Sequence, residues 1–445
     1  MKLSHLHIGA GKIGLGLVCE VARDAGFNTV ILNHKGTRKE PLYSFLKEKR
    51  QYTLKKIGHS QVLVDGVNLH LYSDSSPEEC APFFTNPGLS LVTTAVKAPN
   101  LRDAARVIMS GLLGRMDSIE TNELPLAVIP CENIERPASA LEKEVKSLAA
   151  ESGVRADLSR FMDKYVAFAN SIVDRMCVEP VLVSGLDSGV IEVTVEPHRE
   201  WIIDGTSLRE KGLDRLQRIL ASIDGVRIVS SAEFDVHTKR KFWCFNGIDL
   251  CAAAYAYRAN RWLGTEQSRI VELADALGVQ RIAATVHLIQ EEFAQAVAAF
   301  AKKHGIGRRE FQIGQLRKFN ERVFERMAGF RPNPIDRILS DFIMMTDKAP
   351  AIAERLVSMV GSANQNDHVV RETIESLSNL TKALETSSLF RKLEQRLVAP
   401  IRQLIEARLL PKNSVAYLSD LIEVMTEVSD TCRRALVLRI GSGSS

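Results

Sequence analysis

Leu3-Ser-His-Leu-His-Ile8-Gly9-Ala-Gly11-Lys12-Ile13-Gly14 decides the reading of the fold. A strand-like run, Leu3 to Ile8, enters a G-x-G-x-x-G loop, and the loop opens a stretch of helical spacing, Lys12–Ala25. Strand, glycine loop and helix together are the context a dinucleotide fingerprint needs. Gly9 permits the tight turn, Gly11 lets the backbone approach a pyrophosphate, and Gly14 lets the helix pack on the strand. Amides at the helix N-terminus then face the phosphates. Gly9, Gly11, Lys12, Ile13 and Gly14 are therefore expected to bind the cofactor.

Outward from the loop, Thr29–Leu32, Leu89–Val96 and Leu126–Ile129 are short apolar runs bounded by Gly, Pro or Asn, and they read as buried strands. Leu101–Leu113 has helical spacing. Alternating units of this kind predict an α/β fold with a doubly wound parallel sheet, a Rossmann-type domain over residues 1–204. Tyr52–Leu54 and Gln61–Leu71 read as a strand pair inserted after the second strand, and Ile191–Ile203 as an extended segment at the junction. From residue 205 long periodic stretches take over: Asp249–Leu263, Ile270–Lys303, Arg308–Met327 and most of Ala349–Leu438. Residues 205–440 are expected to form a mainly α-helical domain that carries substrate and catalysis. The terminal Gly441-Ser-Gly-Ser-Ser445 reads as an appended tail outside the fold.

The second strand should end in a carboxylate if the cofactor is NAD, because an acid there pairs with the ribose hydroxyls. Asn33 takes that position, followed by His34, Lys35, Thr37, Arg38 and Lys39. These cations would attract a 2′-phosphate that a carboxylate would repel. Asn33, His34, Lys35 and Arg38 are thus expected to select NADP, with NAD still possible; the alternative is that the basic residues simply face water.

Composition narrows the function classes. The 445 residues suffice for two or three domains, and 45% hydrophobic with 25% charged content is the profile of a globular protein. A net charge of +4 lacks the basic stripe of a nucleic-acid binder. No apolar run approaches the ~20 residues that span a bilayer, and no signal peptide precedes the first strand. The seven cysteines are scattered without a C-x-x-C pair, which argues against a disulfide framework or zinc site and for a cytoplasmic protein.

Lys241-Phe-Trp-Cys-Phe-Asn246-Gly-Ile-Asp249 supplies the chemistry. A lysine taken out of water loses hydration of its ammonium and becomes a usable general base. An asparagine five residues on is a neutral amide donor. On an α-helix the two lie about 500° apart around the axis and point in different directions, although both could still line one side of a pocket.

With these residues the chain resembles the polyol-specific long-chain dehydrogenase/reductase family. The ordered landmarks are Gly9-Ala-Gly-Lys-Ile-Gly14, Leu91-Val-Thr-Thr-Ala-Val96, Cys131-Glu-Asn133, Asn170-Ser-Ile-Val-Asp-Arg175, Glu192-Val-Thr-Val-Glu196 with Glu200-Trp201, Arg240-Lys241 with Asn246, and Asn333-Pro334. The resemblance implies a Rossmann domain followed by a mainly helical domain, with the active site between them and no metal. It implies Lys241 as the acid/base, Asn133 and Asn246 as donors to the developing oxyanion, and Thr94, Ala95, Val96 and Glu132 as cofactor contacts. Asp174, Asp249 and Arg331 are implied on the substrate side. The substrate would be a small sugar or polyol, free or phosphorylated, interconverted with its ketose by a monomer or homodimer.

Two departures put the substrate in question. Family members usually read Lys-x4-Asn-x2-His, whereas Asp249 fills the histidine slot here. An ionised carboxylate only accepts hydrogen bonds, so a substrate bearing a cation or extra hydroxyl donors would suit it. The family also places an arginine three residues before Asn-Pro, where this chain has Phe330, with Arg331 one place later and Arg326 upstream. Two other readings follow: a reductase of an amino-acid-conjugated ketose, and a cofactor-binding sensor without turnover.

Overall fold

The computed structural model describes residues 3–35, 40–73, 76–96, 100–121, 123–183, 189–249, 252–253, 256, 271–331, 333–335 and 338. Arg38, most of the expected helix Asp249–Leu263, the stretch Ala349–Leu438 and the terminal Gly-Ser tail lie outside them. In chain order the strands are β1 (Ser4–Ile8), β2 (Asn28–His34), β3 (Tyr52–Lys56), β4 (Gln61–Val64), β5 (Asn68–Tyr72), β6 (Leu89–Thr94), β7 (Leu126–Pro130), β8 (Val166–Phe168), β9 (Ser171–Asp174), β10 (Val181–Val183), β11 (Val190–Val195), β12 (Glu200–Asp204) and β13 (Val226–Val229). The chain divides into two compact units, Met1–His237 and Thr238–Ser445.

In the first unit a six-stranded sheet runs β5-β2-β1-β6-β7-β8, parallel throughout. Every residue of β1 and β7 is buried, the mark of a sheet covered on both faces. One face packs on the helices Leu101–Asp117 and Pro137–Glu151 through Ile108, Leu112, Leu141 and Val145. The other meets Leu17, Val18 and Val21 of the segment after the glycine loop. The strand order reverses at β1, which has β2 on one side and β6 on the other. A crevice at the carboxyl ends of strands at such a reversal is where doubly wound folds bind ligands.

The expected first helix begins as a π-helical turn, Gly14–Val18, and continues as the α-helix Cys19–Asp24. It stops in a Schellman arrangement. Gly26 takes φ +76°, its N–H donates to Arg23 O, and Phe27 N–H donates to Ala22 O.

Three expectations change. Gln61–Leu71 is two strands, because Gly66 turns the chain at φ +68°. β4 folds back antiparallel on β3, while β5 joins the parallel sheet beside β2. Ile191–Ile203 also divides: β11 pairs with β3 and β10 in a four-stranded sheet, and β12 pairs with β9 and β13. Finally, the division between units falls later than residue 204. Leu208, Leu213, Leu216, Leu220 and Val226 pack in the same core as Leu17 and Val21, so residues 206–229, with the strand β13 among their helices, stay with the first unit.

A buried ion cluster ties the nucleotide helix to this surround. Glu20 pairs with Arg175, both fully buried, and with Lys56 at 2.8 Å and Arg199 at 3.5 Å. Arg175 also donates to Gly16 O at 2.7 Å and Glu196 O at 3.0 Å. Burial pushes the Glu20 carboxyl up, but Arg175 and Lys56 outweigh it and hold it below the usual carboxylate range.

The second unit is helical over its described residues: Leu273–Gly278, Gln280–Lys303 and Ile313–Gly329. The two longer helices pack on one another, and Val286, Phe293 and Val297 on one and Leu316, Val323 and Met327 on the other are buried. A reciprocal bond locks them: Gln290 Nε2 donates to Asn320 O at 2.8 Å, and Asn320 Nδ2 to Gln290 O at 2.6 Å. Among the described residues no helix is long and apolar enough to cross a membrane.

The glycines of the loop separate by what a side chain would meet. At Gly14 a Cβ would strike His7 Nε2 and Gly9 O. At Gly9, with φ +107°, it would sit 2.8 Å from Ala95 O. At Gly11 the nearest atom is Ala95 O at 4.0 Å, so the fold itself leaves that space open. Gly14→Ala should therefore destabilise the chain by roughly 1–3 kcal/mol through overpacking, read as a lower midpoint in chemical denaturation. Gly11→Ala should unfold as the wild type does and lose dinucleotide affinity by about tenfold or more, because its Cβ enters only the space a pyrophosphate would take. Equal loss of stability in both variants would contradict this division.

Candidate active site

The first unit collects the residues expected to meet a cofactor at the carboxyl ends of β1, β2 and β6. Gly9 N–H donates to Leu32 O, and Ala95 N–H to Ile8 O, so the glycine loop and the end of β6 are held by neighbouring strands. Asn33, buried at the end of β2, accepts from Ala10 N–H through Oδ1 at 2.9 Å and donates from Nδ2 to His34 O at 3.2 Å. The residue read for cofactor choice thus also fastens the loop. His34 lies edge-on to Tyr72 with ring centroids 6.0 Å apart. Lys35 is half-exposed, 3.7 Å from Glu79. Lys12 and Ile13 are partly buried, and Ile13 packs against the cores on both sides of the loop.

Glu132 lies just past the end of β7 and is buried. Its Oε1 accepts from Thr94 Oγ1 at 2.6 Å and from Val96 N–H at 3.1 Å, which joins three expected cofactor contacts in one bonded group. Among the described residues its Oε2 is buried with no hydrogen-bond partner. Burial pushes this carboxyl up, against the opposing pull of its bonds from Thr94 and Val96. An orphaned buried oxygen and the open space at Gly11 both fit a bound polar ligand at this end of the sheet. Asn133 follows Glu132 and is half-buried. Asp174, buried at the end of β9, lies 3.8 Å from His198 and is the register partner of Glu200 in β12; ligand atoms of the three lie within 4.8 Å of one another.

In the second unit, Lys241 ends the helix Ser231–Lys241 and is buried, 8% exposed. The backbone then changes to a π-helical turn, Phe242–Gly247. That turn alters the relation of Lys241 to Asn246. An α-helical period would rotate position 246 well away from 241, whereas the wider turn of a π-helix reduces that angular separation. The aromatic residues between them are buried: Phe242, Trp243 and Phe245. Arg326 lies over the Phe245 ring at 5.0 Å, and Arg240 over the Phe319 ring at 4.5 Å.

Asp249 is drawn to a landmark 84 positions away, accepting from Asn333 Nδ2 at 3.2 Å. Asn333 is buried; its N–H donates to Glu272 and its carbonyl accepts from Leu273 N–H. Phe330, where the family carries arginine, is a core residue at 1% exposure. Arg331 is 79% exposed and 3.6 Å from Asp275, so the expected substrate arginine is engaged at the surface.

The sequence reading missed His5, His7 and Thr93. All three are buried and hydrogen-bonded beneath the glycine loop. The available signal was two histidines at i and i+2 of a strand that must be buried on both faces.

Comparison with known proteins finds likenesses to polyol dehydrogenases. Residues 4–215 match the model of the mannitol dehydrogenase Rossmann domain. The chain is 25% identical over 398 residues to the mannitol-1-phosphate 5-dehydrogenase of Paenarthrobacter aurescens, covering 86% of this chain and 92% of that one. It is 28% identical over 301 residues to the enzyme of the same name from Pseudarthrobacter chlorophenolicus, covering 67% of each. Among solved structures, a Pseudomonas fluorescens mannitol 2-dehydrogenase in ternary complex with NAD and D-mannitol aligns with a TM-score of 0.57 at 11% identity, over 97% of this chain and 92% of that one. A substrate-free D-sorbitol dehydrogenase aligns at 0.60 and 12% identity, over 96% and 95%; at such identities the likeness is one of fold. Together these findings give residues 4–215 of the chain a mannitol dehydrogenase Rossmann domain and make most of its length similar to mannitol-1-phosphate 5-dehydrogenases.

Proposed function

We propose that this chain is a nicotinamide-dependent oxidoreductase that interconverts a polyol, or a polyol phosphate of the mannitol 1-phosphate kind, with its ketose, and that it prefers NADP. The observation that carries the reading is the buried lysine at a helix end, followed by a π-helical turn, Phe242–Gly247, that contains the amide donor Asn246. The mannitol dehydrogenase Rossmann domain over residues 4–215 and the open cradle at Gly11 support it. The bound nicotinamide supplies or accepts the hydride at the substrate carbon. Lys241 gives a proton to the carbonyl oxygen in reduction and removes it from the hydroxyl in oxidation. Asn246 and Asn133 donate hydrogen bonds to the oxygen while it carries negative charge, and preorganised donors of this type contribute ~3–4 kcal/mol each. Lys241 is buried, and its Nζ lies over the Phe242 ring at 5.7 Å.

Gly9, Gly11, Lys12, Ile13 and Gly14 would hold the pyrophosphate, Thr94, Ala95, Val96 and Glu132 would contact the nicotinamide half, and Asn33, His34 and Lys35 would take the adenosine ribose. Asn33 supports the NADP preference because it is uncharged and tied to Ala10. Asp174, Asp249 and Arg331 are assigned to the substrate. Asp249 also motivates a second reading, reduction of an amino-acid-conjugated ketose, since a carboxylate suits a substrate ammonium. Steady-state reduction of fructose 6-phosphate against such conjugates distinguishes the two.

Replacing Lys241 by alanine should lower turnover by roughly 10²–10⁴-fold while cofactor affinity, titrated by fluorescence, stays near that of the wild type. Near-normal turnover would remove Lys241 from the mechanism. Asn33→Asp keeps an acceptor for Ala10 N–H at the cost of the long bond to His34 O. It therefore tests charge with the loop held. Its kcat/KM should fall with NADPH and rise with NADH; an unchanged ratio, or a wild type that already favours NADH, would contradict the NADP assignment.

A further inference from the structure

A chain of hydrogen bonds crosses the parallel sheet beneath the glycine loop. Thr29 in β2 is the register partner of His5 in β1, and His7 in β1 is the partner of Thr93 in β6. His5 Nδ1 lies 3.2 Å from Thr29 Oγ1, and His5 Nε2 2.7 Å from Thr93 Oγ1. His7 Nδ1 lies 2.7 Å from the same hydroxyl, and His7 Nε2 2.9 Å from Gly9 O. Both imidazoles are fully buried, and burial keeps them neutral: the His7 pKa falls to about 4, and His5 is lowered by burial and then by His7.

Neutrality makes the direction of every bond unique. The Gly9 carbonyl can only accept, so His7 carries its proton on Nε2. Its Nδ1 is then bare and takes the Thr93 hydroxyl proton. Thr93, having spent its one proton, must accept from His5 Nε2–H, which leaves His5 Nδ1 to accept from Thr29.

The end of the chain is the informative part. Gly9 C=O and Ala10 N–H belong to one planar peptide unit. His7 holds the carbonyl side, and Asn33 Oδ1 holds the amide side at 2.9 Å. A peptide clamped at both edges cannot rotate, and its orientation sets the direction of the amides that follow it around Gly11.

We propose that His7 is a positioning residue for the dinucleotide: its Nε2–H fixes the Gly9–Ala10 peptide, and Thr93 and His5 hold it in the one tautomer able to do so. The proposal rests on dinucleotide binding at this loop, as read above.

The test uses the full chain, with NADH and NADPH titrated by their own fluorescence and unfolding followed without cofactor. His7→Phe and Thr93→Val should weaken both cofactors by roughly three- to tenfold, the worth of one net hydrogen bond. His7→Gln should bind more tightly than His7→Phe, because an amide can donate to Gly9 O and accept from Thr93. A purely structural role would lower the unfolding midpoint and leave affinity unmoved. Affinity of His7→Phe within about twofold of the wild type, or His7→Gln as weak as His7→Phe, would overturn the proposal. Should the variants fail to fold, nitrogen NMR of the wild type decides: both rings should be neutral Nε2–H tautomers at neutral pH, and a charged ring or an Nδ1–H tautomer at His7 overturns it. A wild type that binds neither dinucleotide would remove the proposed function itself, an outcome distinct from variants that bind as it does.

Discussion

The first unit depends on how closely its glycine loop folds back on β1. At Gly14 the following segment lies so near His7 and Gly9 O that a single methyl group has no room. That contact brings Leu17, Val18 and Val21 down onto the sheet, where they meet Leu91, Ala127 and Ile129. It also sets the amides of the loop at the point where the strand order reverses. Dispersion between such closely packed atoms is small per pair and large in sum, so the loop is held from below by packing and from its edges by hydrogen bonds to β2 and to His7 of β1.

A second constraint acts further along the same helix. Glu20 is fully buried and would be costly if isolated, yet three cations surround it. Buried pairs of this kind are weak evidence of net stability, but removing one partner leaves an uncompensated charge at a cost of about 3–5 kcal/mol. The arrangement joins the nucleotide helix to β3, to the end of β9 and to the connection after β11, which are far apart in sequence. The helix cannot shift without disturbing all of them, and the loop at its start inherits that rigidity.

Much of this was legible in the chain. The strand, Gly9–Gly14 and the following helix carried their own context, and short apolar runs marked β1, β2, β6 and β7. Legibility failed where tertiary pairing decides. Gln61–Leu71 is apolar enough to read as one strand, and only pairing with β3 and β2 shows that Gly66 divides it. Asn33 read as a selector of the ribose end, but its bond to Ala10 N–H depends on how β2 lies beside the loop. The angular relation of Lys241 to Asn246 is read from an α-helical period, which the π-turn at Phe242–Gly247 replaces. The bond from Asn333 to Asp249 and the buried histidines beneath the loop require the fold before they can be seen.

The central claim is hydride transfer between a nicotinamide and a sugar carbon. It is tested most directly by incubating the full chain with fructose 6-phosphate and NADPH deuterated at the transferring position, and analysing the product by mass spectrometry and NMR. The account predicts consumption of NADPH matched by a hexitol phosphate that carries one deuterium on the former carbonyl carbon. A chain that binds NADPH yet transfers deuterium to no free, phosphorylated or amino-conjugated ketose would contradict it.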